Sequence, residues 1–198
     1  MSHRLPRSFY TRTDVVLLAQ ELLGKVLVTE FDTRTSGIIT ETEAYAGVTD
    51  RASHAFGNRR TNRTEVMYAR GGTAYVYLCY GMHHLFNVVT HEEGTPHAVL
   101  IRAIRPLEGI DRMRLRRKGR PLRTDGPALV SLALGITTRH TGMDLLGGPI
   151  SVEDLGYRPR RGTIIAGPRV GVAYAGADAM LPYRFRIAPS TPQSWERA

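Results

Sequence analysis

The chain has 198 residues, 42% of them hydrophobic, with a formal net charge of +9 and a pI near 10.2. That length suits one domain with a proper core, no apolar run approaches the roughly 18–20 residues of a membrane span, and a lone cysteine, Cys79, excludes an internal disulfide and is compatible with a reducing compartment. The charge points to a polyanionic partner, although a basic pI can also reflect genome composition, and with Lys25 and Lys118 the only lysines few amines are available for covalent chemistry.

The opening MSHRLPRSFYTRTD lacks the apolar stretch of a secretory signal, so the expectation is a cytoplasmic protein, nucleoid-associated if bacterial. Thr13 or Asp14 caps a predicted helix through VVLLAQELL, with Gly24 as its stop. Strands are expected at KVLVTEF and GIITETEAYAG, joined as a hairpin by a turn over 32–37. Residues 46–70, AGVTDRASHAFGNRRTNRTEVMYAR, show little apolar periodicity and read as a long basic loop, a length uncommon in compact domains unless it has a function. YVYLCY is a strand ending in a turn near Gly81, followed by strands at LFNVVT and AVLIRAI. The basic segment 105–123 predicts a short helix after Pro106 that stops at Gly119. DGPALVSLALGI predicts a helix with Pro127 in its first turn and Gly135 at its end. Short strands fill 149–187, and residues 188–198 read as a frayed tail. Runs of strands with scattered helices indicate a single α+β domain with a curved, largely antiparallel sheet.

Three places in this pattern can carry chemistry. Strict alternation along ITETEAYAG puts Ile39, Glu41, Glu43 and Tyr45 on one face, with Ile38, Thr40, Thr42 and Ala44 on the other. Two carboxylates and an aromatic on one strand face describe either a solvated face paired with arginine or a general base beside a platform for a flat ring. In the next strand Tyr75 and Tyr77 share a face, whereas Tyr80 falls out of parity against Gly81. It reads either as a cross-strand aromatic or as a side chain projecting from a turn, where it can wedge between base steps and fill the gap left by a flipped nucleotide. His54 lies in the basic loop near Arg59, Arg60 and Arg63, a cluster suited to phosphate. Cys79, His83, His84, His91 and His97 are close in sequence, but no pair has metal-ligand spacing, so neither a metal nor a cofactor is expected.

The segments ITETEAYAG, ASHAFGNRRTNR, YVYLCYGMHHLFNVV, VLIRAIRPLEG, LALGI and RVGVAYAG follow the order seen in alkyladenine (3-methyladenine) DNA glycosylases. The chain resembles that family from LAQELLGKVLV to about LPYRFRI, and ETEAY with YVYxxYGM is a specific combination. The resemblance implies a monofunctional base-excision repair enzyme, acting as a monomer on double-stranded DNA. It would flip an alkylated or deaminated purine (3-methyladenine, 7-methylguanine, hypoxanthine or etheno-adenine) and hydrolyse its N-glycosidic bond. It further implies Glu43 as the base that activates water, Arg102 and the Val170 main-chain carbonyl as groups that position that water, and Tyr45, His54 and Tyr77 as the walls around the extruded base. Asn87 would crowd guanine's exocyclic amine and Tyr80 would enter the minor groove, with Arg59, Arg63 and Met82 as candidate phosphate contacts. Three positions depart from the family pattern: Leu129 where a lysine is usual in GPxKL, Thr64 after Arg63 where asparagine is usual, and His83-His84 after YGM. The alternative is a non-catalytic nucleic-acid-binding domain, against which the intact Glu43 argues. An RNA-directed binder would also suit the charge and the tyrosines, but the compact RNA-module signatures are missing.

Overall fold

A computed structural model describes residues 3–188 and 195–197. A short helical turn, α1 (Arg7–Tyr10), precedes α2 (Val15–Glu21). Asp14 caps α2 by accepting hydrogen bonds from the Val16 and Leu17 N–H groups, both 2.9 Å. Gly24 follows at φ +86°, where an added Cβ would lie 2.6 Å from the Tyr157 carbonyl, so glycine is needed both for the turn and for the close approach.

The centre of the molecule is a curved antiparallel sheet built from β1 (Val26–Glu30), β2 (Arg34–Tyr45), β3 (Ala74–Cys79), β4 (His83–Thr90), β5 (His97–Glu108) and β6 (Ile150–Glu153), in the order β3-β4-β5-β2-β1-β6. Twelve-residue β2 pairs with β5 along one edge; on the other, its first half pairs with β1 and its Glu41–Glu43 stretch with β9 (Arg184–Ile187). β9 in turn pairs with β8 (Ile164–Gly167). The main apolar core gathers Leu22, Leu27, Ile38, Ile39, Phe86, Ile101 and Leu134. α4 (Pro127–Leu134) packs on β4 and β5, with α3 (Ile110–Arg116) against it; α4 has Pro127 at its start and Gly135 left-handed at its end, as expected.

Several boundaries differ from the sequence reading. The first hairpin is tighter than a 32–37 turn, because Arg34 already pairs with Glu30. Residues 46–70 contain three short 3-10 turns, and Ala55, Met67 and Tyr68 are buried there in a small cluster with Tyr75. β4 begins at His83, two residues before LFNVVT, and β5 runs through Pro106 to Glu108, with α3 starting only after Gly109. Proline is tolerated there because the pairing register with β2 is broken near Gly37. Most of the expected tail lies outside the described residues; within it, Trp195–Arg197 forms β10, paired with β7 (Tyr157–Pro159).

One difference bears on the site. The β2–β5 register skips Thr40 on β2 and Arg102 on β5, a bulge that interrupts simple alternation. Ile39 is therefore fully buried in the same core as Ile38 and Ala44, not on the face of Glu41. Glu41, Glu43 and Tyr45 do remain together, and the offset Arg102 reaches both carboxylates, Nε lying 2.9 Å from Glu41 and Nη1 3.4 Å from Glu43.

Candidate active site

β2, β3, β4, β5 and the loops 46–70 and 168–174 enclose a cavity of about 430 Å³, within the size range of small-molecule sites. Glu43, Tyr45, His54, Tyr77, Asn87, Arg102 and Val170 all line it, though they come from six separate stretches of chain. Tyr80 reaches the rim, whereas Arg59 and Met82 are not part of the lining.

Glu43 is fully buried and bonded on both oxygens. Oε1 accepts from the Val170 N–H at 2.8 Å and faces Arg102; Oε2 accepts from the Tyr45 hydroxyl at 2.9 Å. Burial pushes its pKa above the ordinary carboxylate value, against the lowering effects of Arg102, the Val170 N–H and the Tyr45 hydroxyl. Glu41 takes up the other side of Arg102 and also Arg184, at 2.6 Å, so it serves as the anchor that fixes Arg102 beneath Glu43. The resemblance had given Val170 a role through its carbonyl; the contact seen is through its N–H, to the carboxylate itself.

The aromatic wall is built on β3 and the polar loop. His54 packs edge-on against Tyr77, centroids 4.7 Å apart, and its Nδ1 lies 2.8 Å from the Tyr75 hydroxyl. Tyr75 is buried, as a core tyrosine should be, and also holds His54 in place. Burial, helped by Arg63 and Arg59, pulls the His54 pKa down to about 4, so the imidazole is neutral at physiological pH. The amide of Asn87 is fixed in the cavity wall by bonds from Nδ2 to the Tyr75 and Leu85 carbonyls.

Tyr80 sits where its broken parity placed it. The Met82 N–H donates to the Cys79 carbonyl at 3.2 Å across the β3–β4 turn, and the two central residues, Tyr80 and Gly81, have φ of +51° and +70°. Positive φ at both positions is the hairpin geometry that favours Asn-Gly. A tyrosine there is strained, and the residue is 89% exposed. The Met82 N–H is already engaged by this turn. Arg63 also differs from a simple phosphate arm: its guanidinium lies over the Tyr77 ring, 4.8 Å from the centroid, and inside the cavity lining.

Two contributors were not found from sequence. Tyr174 lines the cavity and is tethered by its hydroxyl to the Ala52 carbonyl, 3.1 Å away. Behind the cavity, Asp50 and Arg169 form an ion pair with side chains 2% and 0% exposed. Asp50 uses both oxygens fully: Oδ1 accepts from Ala52 N–H and Arg169 Nη2, Oδ2 from Ala46 N–H and Arg169 Nη1. Arg169 also donates to the Ala44 and Asp178 carbonyls and lies 4.9 Å from the Tyr45 ring centroid. The pair thus locks the His54 loop to the Val170 loop. No sequence signal joins residues 119 apart; a buried arginine beside RVGV has no local pattern to betray it.

A sheltered carboxylate with a neutral aromatic wall, beside a strained exposed tyrosine, makes a cavity able to take a flat ring. The description "Methylpurine-DNA glycosylase (MPG)" belongs to the family model that matches residues 8–191, and the chain belongs to that family. It is 50% identical over 188 residues to a protein of Chlamydia abortus, covering 92% of this chain and 97% of that one, and 39% identical over 197 residues to one of Clostridium novyi, covering 94% and 96%. Both carry the name "Putative 3-methyladenine DNA glycosylase". Membership makes the chain a DNA glycosylase of the 3-methyladenine type, a hydrolase of N-glycosyl bonds whose substrate is DNA. Among the described residues, no helix is long and apolar enough to cross a membrane.

Proposed function

We propose that the protein releases an alkylated or deaminated purine from double-stranded DNA by direct hydrolysis, with Glu43 as the base. The observation that carries this reading is Glu43 itself, a buried carboxylate opening into a cavity walled by Tyr45, His54 and Tyr77. A carboxylate has about four acceptor positions. Val170 N–H and Arg102 take those of Oε1 and the Tyr45 hydroxyl takes one on Oε2, so Oε2 keeps capacity for one water. That water attacks the anomeric carbon of the flipped nucleotide while its proton passes to Glu43 and then to solvent. The glycosidic electron pair leaves with the purine.

Glu43 acts at both ends of the step. Its charge stabilises the oxocarbenium-like sugar as the bond breaks, much as paired carboxylates do in glycosidases, and its oxygen orients the nucleophile. Arg102, held by Glu41, favours the ionised form of Glu43 against the effect of burial. Tyr45 on one side and His54 with Tyr77 on the other supply stacking faces for the extruded base, and Tyr80 fills the gap left in the duplex. Strain at Tyr80 supports this role, since a turn selected for stability alone would carry asparagine. Direct attack by water leaves no covalent enzyme–sugar link, and the cavity lining contains no lysine to form one.

The test is a duplex carrying one 3-methyladenine analogue or one inosine, incubated with the protein and then heated in alkali to cut abasic sites. Lesion-dependent cleavage after alkali is expected, with no adduct on borohydride treatment. Intact strands would refute the excision reading, and a trapped adduct would refute the water mechanism.

A further inference from the structure

We propose that Arg63 sets the pocket's choice among damaged purines, favouring neutral bases over methylated, cationic ones; this rests on the excision reading above. The guanidinium is turned into the cavity. Its carbon lies 4.8 Å from the Tyr77 centroid and Nη2 lies 3.4 Å from His54 Nε2. Arginine can only donate, so Nε2 of His54 is the acceptor, and the imidazole proton sits on Nδ1 facing the Tyr75 hydroxyl. The wall is therefore a neutral imidazole backed by a fixed positive charge.

That wall is hostile to a second cation. Burial, Arg63 and Arg59 together hold the His54 pKa at about 4, and what expels a proton from this imidazole acts on any positive ring placed against it. An aromatic face ordinarily attracts a cation, but one face of Tyr77 already carries one. Glu43 opposes this, yet its charge is met by Arg102. The charged side chains lining the cavity are Glu43 against Arg63 and Arg102, a net positive set that becomes balanced when Arg63 is removed.

Bond breaking then separates the two lesion classes. As the C1′–N bond opens, the electron pair passes to the purine, so a cationic base leaves neutral and a neutral base leaves anionic. Arg63 favours departure in both cases. The difference lies in the bound state before it: a cationic ring is repelled, while a neutral ring is accepted and its acceptors can be met by the guanidinium. When protein is limiting, the benefit of Arg63 survives only for the neutral lesion.

The experiment measures single-turnover release of hypoxanthine and of 7-methylguanine at subsaturating protein, for the parent, Arg63→Ala and Arg63→Lys. Arg63 is exposed at the cavity mouth, so both variants should fold. Arg63→Ala is expected to lower the hypoxanthine constant about tenfold, the scale of one partly screened charge, and to leave 7-methylguanine within about twofold; Arg63→Lys should restore much of the ratio. Equal loss on both lesions, with a shallower salt dependence, would identify a phosphate contact only and overturn the proposal, as would a ratio shifted toward hypoxanthine. A parent that releases neither lesion overturns the excision reading, and this inference with it.

Discussion

Replacing Asp50 with asparagine probes the ion pair that ties the two pocket loops together. The parent carboxylate receives four donors, two from Arg169 and two backbone N–H groups, on its four acceptor positions. Asparagine keeps the shape but offers one oxygen, so its amide nitrogen is turned toward two donors while Arg169 keeps its charge in a site with no exposure. Breaking a buried pair by removing one partner costs about 3–5 kcal/mol. For a chain of this size each kcal/mol moves the midpoint by about 2–4 °C, which sets an expected drop of about 6–20 °C in thermal melting. Activity should fall as well, on the order of 10²-fold in single-turnover base release at a temperature where the variant is folded, because Val170 follows Arg169 in sequence and its N–H orients Glu43. The assays are calorimetry and base release on the same preparation. A melting point within about 2 °C of the parent, with release unchanged, would refute the claim that this pair organises the site.

Three further outcomes follow from individual side chains. The burial-raised pKa of Glu43 should appear as an acid limb in base release, with activity lost as pH falls through a value above the ordinary 4.5; His54 and His97, held at about 4, cannot produce it, and a profile flat down to pH 4.5 would contradict the assignment. Tyr80→Gly relaxes a left-handed position, so folding stability should stay within about 1 kcal/mol of the parent while retention of lesion-containing duplex weakens; unaltered DNA affinity would count against a wedge. The folded pKa of His97 lies below its ordinary 6.5, so the unfolded chain binds more protons between those values. Its contribution is present above pH 6.5 and lost as pH falls toward 4, and the stability difference between the parent and His97→Gln, measured by denaturant titration, should shift against the parent over that window; a constant difference would show that His97 is not held neutral.

Local rules carried the sequence reading where local chemistry decides structure. Asp14 and Gly24 bound α2, and Pro127 and Gly135 bound α4, because capping and left-handed termination depend on single residues. Tyr80 was legible for a related reason: a tyrosine out of parity beside a glycine has few places to go but a turn. What stayed hidden depends on register and on distance. The bulge at Thr40 moved Ile39 into the core and gave Arg102 its reach, and nothing in an alternating pattern announces one extra residue. Pro106 reads as a breaker, yet here it lies in β5 opposite Gly37 at an irregular register. Asp50 and Arg169 are joined only by the folded chain. Arg63 was grouped with its basic neighbours by composition, and only the geometry separates it from them.

The most direct test of Glu43 as the base is Glu43→Gln, assayed for both binding and chemistry on one lesion-bearing duplex. Glutamine preserves the volume and can still accept from the Val170 N–H, but it cannot take a proton from water or balance a cationic sugar. Binding within a fewfold of the parent, together with loss of base release by at least about 10²-fold, is the predicted result. Release at the parental rate would show that a different group performs the hydrolysis.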